Sequence, residues 1–146
     1  MRRVPSAVAR FVLAVGLVLP ASAQAQVHIV SVAPGGKAAN HDSYQPRISA
    51  DGRRIVFVSK ASHLVAGDFN GKEDIFLWDG RADPPVIRLI SMAPNGAPAN
   101  GPSELPSISP DGNYVAFNST ATNLGAPPTN GLSNVYVSHI GGATML

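Results

Sequence analysis

Asp68-Phe69-Asn70-Gly71-Lys72-Glu73-Asp74 sets side-chain oxygens around a glycine turn. Carboxylate and amide oxygens at such spacing are what a hard cation such as calcium takes as ligands. Asp68, Asn70 and Asp74 are therefore the candidate metal ligands, and Glu73 adds negative charge. The match to a calcium loop is partial, because the full ligand series and the late bidentate acid are missing. The competing assignment is a solvated loop whose Asx side chains bond their own backbone. Sixty residues on, the stretch Thr129-Asn130-Gly131-Leu132-Ser133-Asn134 occupies the same place with no carboxylate.

Asp51 and Asp111 form a second pair of acids. Each precedes a glycine, in "SADGRR" and in "SPDGNY". Aspartate before glycine is turn chemistry: the carboxylate bonds its own backbone and glycine supplies positive φ. Asp51, Gly52, Asp111 and Gly112 are thus read as structural turn residues rather than paired catalytic acids. His28, His41, His63 and His139 show no metal-ligand spacing, and there is no Gly-x-Ser-x-Gly nucleophile elbow. With no cysteine there is no thiol nucleophile and no thiolate metal site. The expectation is a non-enzymatic chain with no cofactor other than the calcium candidate.

The amino end reads as a secretory leader. Arg2, Arg3 and Arg10 precede the apolar run "FVLAVGLVLP", and "ASAQAQ" places small residues at alternating positions. This predicts a signal peptide over 1–25, cleaved after Ala23 or Ala25, in a run too short to span a bilayer. Without its three arginines, the 11 basic residues fall to 8 against 9 acidic ones, a net charge of −1. No basic surface is left to hold a phosphate backbone, which argues against nucleic acid as a partner. The expected location is the periplasm or the exterior of a bacterium.

The elements that position these residues come from a repeat. "ISADGRRIVFVS" from Ile48 returns as "ISPDGNYVAFNS" from Ile108, and an ungapped shift of sixty aligns nearly all of the mature chain with itself. Fixed periods of this size mark arrays of one supersecondary unit. Each unit reads as strands, in keeping with 14 Gly and 13 Pro. "PRIS" is a strand and "ADG" a turn. "RRIVFVS" returns antiparallel, with Ile55 and Phe57 on one face and Val56 and Val58 on the other. "DIFLWD" and "VIRLISM" follow as third and fourth strands. Apolar residues on both faces imply a sheet covered on both sides.

Pro46-x-Ile48-Ser49-x-Asp51-Gly52-x-x-Ile55-x-Phe57, and more closely Pro106-x-Ile108-Ser109-Pro110-Asp111-Gly112-x-x-Val115-x-Phe117, resemble the TolB-type, WD-repeat-like β-propeller repeat. The resemblance covers the mature chain, 26–146. It implies an all-β fold of two four-stranded antiparallel blades, a partial propeller. Blade 1 is expected over about 46–92 and blade 2 over about 106–146. The segment 27–32 aligns with the fourth strand of blade 1 and is the expected closing strand. Propellers typically close with 4–8 blades. Two readings follow: a piece of a larger propeller, or a two-blade subunit closed by homo-oligomerisation.

Propellers of this type dock envelope proteins, so the resemblance implies a protein-binding or scaffolding module in the bacterial envelope. The alternative is an oligomeric carbohydrate-binding propeller whose sugar stacks on Trp78. Two isolated blades would also leave apolar faces and strand edges open.

Overall fold

The computed structural model describes residues 26–125 and 129–141. The expected leader lies outside them, as does the end of the expected second blade. The described residues are all-β, in antiparallel sheets of two, four and three strands. Strands β1 (Val32–Ala33) and β2 (Lys37–Ala38) form a small hairpin. Strands β3 (Ser43–Ile48), β4 (Arg54–Ser59), β5 (Asp74–Asp79) and β6 (Val86–Leu89) form a four-stranded meander. Strands β7 (Ser103–Ile108), β8 (Tyr114–Ser119) and β9 (Asn134–His139) form a second meander with three strands.

The central strands β4 and β5 form because β-branched and aromatic residues fill both of their faces. On one face Val56, Val58, Ile75 and Leu77 are fully buried against Val115, Phe117 and Ile140 of the second meander. On the other, Phe57 and Phe76 sit in a second cluster with Ala61 and Leu64, flanked by Ile55, Trp78 and Val30. The predicted assignment of alternate residues to opposite faces is what the structure shows. Each such buried aliphatic side chain contributes about 1.5–3 kcal/mol, so the joint between the sheets is a main source of cohesion.

The repeat extends to atomic contacts. Phe57 faces Phe76 across β4 and β5 with ring centroids 5.8 Å apart, and Phe117 faces Tyr136 at 5.7 Å. The Ser59 hydroxyl donates to the Asp42 carbonyl at 2.9 Å and accepts from Ser43 at 3.0 Å. Ser119 does the same with the Pro102 carbonyl and Ser103, at 2.9 and 3.0 Å. The recurrent serines thus tie the first strand of each sheet to the second.

Two boundaries depart from expectation. β3 and β7 begin at Ser43 and Ser103, three residues before the predicted starts at 46 and 106. The reason is a bulge: Gln45 and Leu105 take positive φ (52° and 54°), and the pairing skips across Pro46 and Pro106. Proline offers no N–H to a ladder, so the strand is interrupted there and resumes. The segment 27–32 pairs only at its end, where Val32 joins the β1–β2 hairpin. Its sequence equivalent β6 pairs with β5, and 27–31 meets no such third strand among the described residues. β9 carries no fourth strand beside it among the described residues, so the second sheet shows three strands.

Candidate functional site

The loop between β4 and β5 brings Asp68, Asn70 and Asp74 into one neighbourhood, but as a hydrogen-bonded network. Asp74 is fully buried. One of its oxygens accepts the Asn70 amide N–H at 2.6 Å, and the other accepts the Ser91 hydroxyl at 2.6 Å. The same Asn70 nitrogen donates to the Ala99 carbonyl at 2.8 Å, and Asn70 Oδ1 accepts the Lys72 N–H at 2.8 Å. Asn70 therefore turns its NH2 group, not its oxygen, toward the carboxylate. Among the described residues no three His, Asp or Glu side chains gather in a metal-binding group.

Burial pushes the Asp74 carboxyl up to about 6, against the opposing pull of the Ser91 and Asn70 donors; the charges of Asp68 and Glu73 add to the rise. Asp68 is raised for the same first reason, its burial, while the Asn70 backbone N–H works against the rise. The loop thus joins the two sheets: Asn70 and Ser91 link it to the connection that leads into β7.

Asp51 and Asp111 sit where the sequence places them, in hairpin tips with Gly52 and Gly112 at φ 70° and 75°. The Ser49 hydroxyl donates to Asp51 at 2.6 Å and the Arg53 N–H at 3.0 Å. Ser109 and the Asn113 N–H repeat this at Asp111. These donors, the serine hydroxyl first in each case, hold both carboxyls below the usual carboxylate range.

The two tips are stacked and clamped by arginines. Two Arg81 nitrogens donate to one Asp51 oxygen (2.8 and 3.2 Å), and Arg81 also donates to the Asp111 carbonyl at 2.9 Å. Two Arg54 nitrogens donate to one oxygen of the buried Asp79 (3.0 and 3.1 Å), and Arg54 reaches the Gly112 carbonyl at 2.8 Å. Burial alone would raise Asp79, but the Arg54 guanidinium, the Arg81 N–H and the charge of Arg88 hold it below its ordinary value. The backbone adds a direct bond from the Ala50 N–H to the Pro110 carbonyl at 3.0 Å.

In the second sheet the same register position holds a different pair. Tyr114 stacks on His139 with centroids 4.7 Å apart, where the first sheet has Arg54 and Asp79. Trp78 lies half-buried beside a cleft of about 660 Å³ whose walls include Ile29, Val30, Leu64, Pro84 and Ile87. The buried Nδ1 of His63 meets no hydrogen-bond partner among the described residues.

Sequence reasoning missed Ser91, Arg54 and Arg81. Ser91 had a signal, since it falls on Ser31 in the repeat, but its partner Asp74 lies seventeen residues away. Arg54 and Arg81 have no basic equivalents in the second copy, so the repeat does not mark them.

No family model matches the sequence, and none of the curated proteins matches it. Among solved structures the chain is similar to the crystal structure of TolB from Acinetobacter baumannii, at 21% identity and a TM-score of 0.40. The match covers 68% of this chain and 19% of that one, so it spans about a fifth of that protein's length. Among the described residues no helix is long and apolar enough to cross a membrane.

Proposed function

We propose that this chain is a non-enzymatic module of β-propeller type, exported to the periplasm or beyond, whose role is to bind or scaffold proteins. The observation that carries the reading is the use of its acids. Asp51, Asp74, Asp79 and Asp111 are each held by serine, asparagine, arginine or backbone donors that tie one strand or sheet to another. Such groups serve positioning within the fold, and the module then offers surface rather than chemistry. Its two blades supply part of a ring, which further blades complete.

Export is tested by expressing residues 1–146 in a Gram-negative host and sequencing the amino terminus in each fraction. Periplasmic chain beginning at Gln24 or Gln26 is expected; uncleaved chain held in the cytoplasm would overturn export. Binding is tested with the purified mature chain on a glycan array and against hydrolase substrates. Silence on both supports a protein partner, and turnover that survives repurification would sink the reading.

A second reading is favoured by one observation, the cleft of about 660 Å³ at Trp78. An indole edge in an open cleft suits the apolar face of a sugar. Array binding that disappears in Trp78→Ala would move the assignment to a carbohydrate-binding propeller.

A further inference from the structure

We infer that a second copy of this chain docks on the outer face of β8 and β9, so that copies join end to end by the contact that joins the two sheets within one chain. The inference goes beyond the scaffolding role and is independent of what else the module binds.

The internal joint is the template. Its first half is the β4–β5 face, where Ile75 and Leu77 are both fully buried. Its second half is the near face of the second sheet, which includes Phe117 and the partly buried Ile108. The repeat carries both halves to the ends of the molecule. Ile75 and Leu77 correspond to Val135 and Val137, which are 73% and 67% exposed. Ile108 corresponds to Ile48, which is 60% exposed. Ile75 and Leu77 are buried where the second sheet lies, while Val135, Val137 and Ile48 are open at the two ends; Phe57, the equivalent of Phe117, is covered by Ala61, Leu64 and Val30 of its own chain. The chain therefore displays both complementary halves of one interface on opposite sides, and a second copy supplies what each side lacks. The contact is heterologous, head to tail.

The strand edges agree. β9 has an open outer edge among the described residues, where β5 has β6. In the neighbouring copy, Val27 and Ile29 stand 97% and 71% exposed at the positions equivalent to β6, and Val30 packs on the first sheet as Ile90 packs at the internal joint. Transposing the observed pairing of Leu77 with Arg88 places Val137 of one copy opposite His28 of the next. The joint between copies is weaker than the internal one. Ala116 and Asn118 stand in place of Val56 and Val58, and Tyr114 in place of the clamping Arg54.

The test uses residues 26–146, with mass read by light scattering and sedimentation across a range of concentrations. Ile48→Lys and Val137→Lys both alter exposed side chains, so each variant keeps its β circular dichroism. The wild-type chain is expected to assemble, and each variant alone to associate at least about tenfold more weakly. An equimolar mixture of the two variants is expected to form a one-to-one dimer and nothing larger, because each retains the half that the other has lost. In a chain with no native cysteine, His28→Cys with Val137→Cys is expected to give disulfides between chains. A wild-type monomer at all concentrations would overturn the proposal, as would variants that assemble like wild type or a mixture that fails to pair. Assembly without the disulfide would overturn the strand register.

Discussion

The Gln45 side-chain oxygen accepts the backbone N–H of Leu105 at 2.9 Å, and these two residues are repeat equivalents, both at positive φ. One copy of the bulge thus reads the other directly. A non-glycine residue in the left-handed region costs roughly 1–2 kcal/mol, and asparagine bears this better than leucine. Leu105 is 57% exposed, so little packing is lost on replacing it. Leu105→Asn is expected to raise stability by about 0.5–1 kcal/mol, and Gln45→Ala to lower it by about 0.5–1.5 kcal/mol. Urea denaturation of the two variants checks both signs.

Arg54 and Asp79 form a buried pair that also holds the second sheet through the Gly112 carbonyl. Arg54→Met would leave Asp79 buried without its main partner, at an expected cost of about 3–5 kcal/mol. Arg54→Tyr combined with Asp79→His installs the stacked pair of the second sheet and is expected to cost less than the two single changes together, with a coupling of about 0.5–3 kcal/mol. A double-mutant cycle in urea measures this. Additive costs would mean that the stack needs its own sheet around it.

The pH dependence has a definite sign at Asp74. Its folded-state value of about 6 lies above its ordinary value of 3.8. The native state therefore holds an extra proton between those values, and stability falls as pH rises through that window. The raised Asp68 acts in the same direction. Asp51, Asp79 and Asp111 are lowered, so their contributions are present above the ordinary carboxylate range and are lost as pH falls below it. From pH 4 to pH 6 the Asp74 part amounts to on the order of 2 kcal/mol. Thermal melts across that window should show the decline in wild type and a flatter curve in Asp74→Asn.

The same loop makes a prediction for calcium. A cation would need the Asn70 oxygen, which the Lys72 N–H already uses, and would meet the Asn70 NH2 group instead. Addition of about 100-fold calcium over a micromolar chain is expected to leave the melting temperature unchanged. A bound cation at 100 times its Kd would stabilise by about 2.7 kcal/mol, a shift that a melt detects easily.

Gly80 lies under the ring of Trp78. A Cβ there would meet ring atoms at 2.3 and 2.6 Å. Gly80→Ala is expected to displace the indole and cost about 1–3 kcal/mol. Trp78 is the sole tryptophan, so its emission reports the displacement directly, and an unchanged spectrum would show that the ring moves freely.

What was legible in the sequence was whatever depends on local pattern. The alternation in "IVFV" placed Val56 and Val58 on one face and Phe57 on the other, and the turn at Asp51 and Gly52 followed from residue chemistry. The starts of β3 and β7 were misjudged because a proline looked like a strand's first residue, when it marks a bulge inside one. The spacing from Asp68 to Asp74 reads as a row of ligands, and the orientation of Asn70 is not written in that spacing. Ser91 and the Ala99 carbonyl decide that orientation, and both arrive from the connection to the next sheet. Arg54 and Arg81 reach across the joint between sheets, a distance that only the assembled fold defines.

The face-to-face packing of two meanders also orders the events of folding. Within each sheet, neighbouring strands are neighbours in sequence, so the loops to be closed are short and their closure is fast. The joint at Val56, Val58, Ile75 and Leu77 is different, since it requires two formed sheets to meet. The four-stranded sheet presents that surface whole, while the three-stranded one has, among the described residues, no strand in the place of β6. The first sheet is thus expected to act as template and the second as client, with the barrier to folding at their encounter, which φ-values at Val56 and Val115 above those of the hairpin turns would bear out.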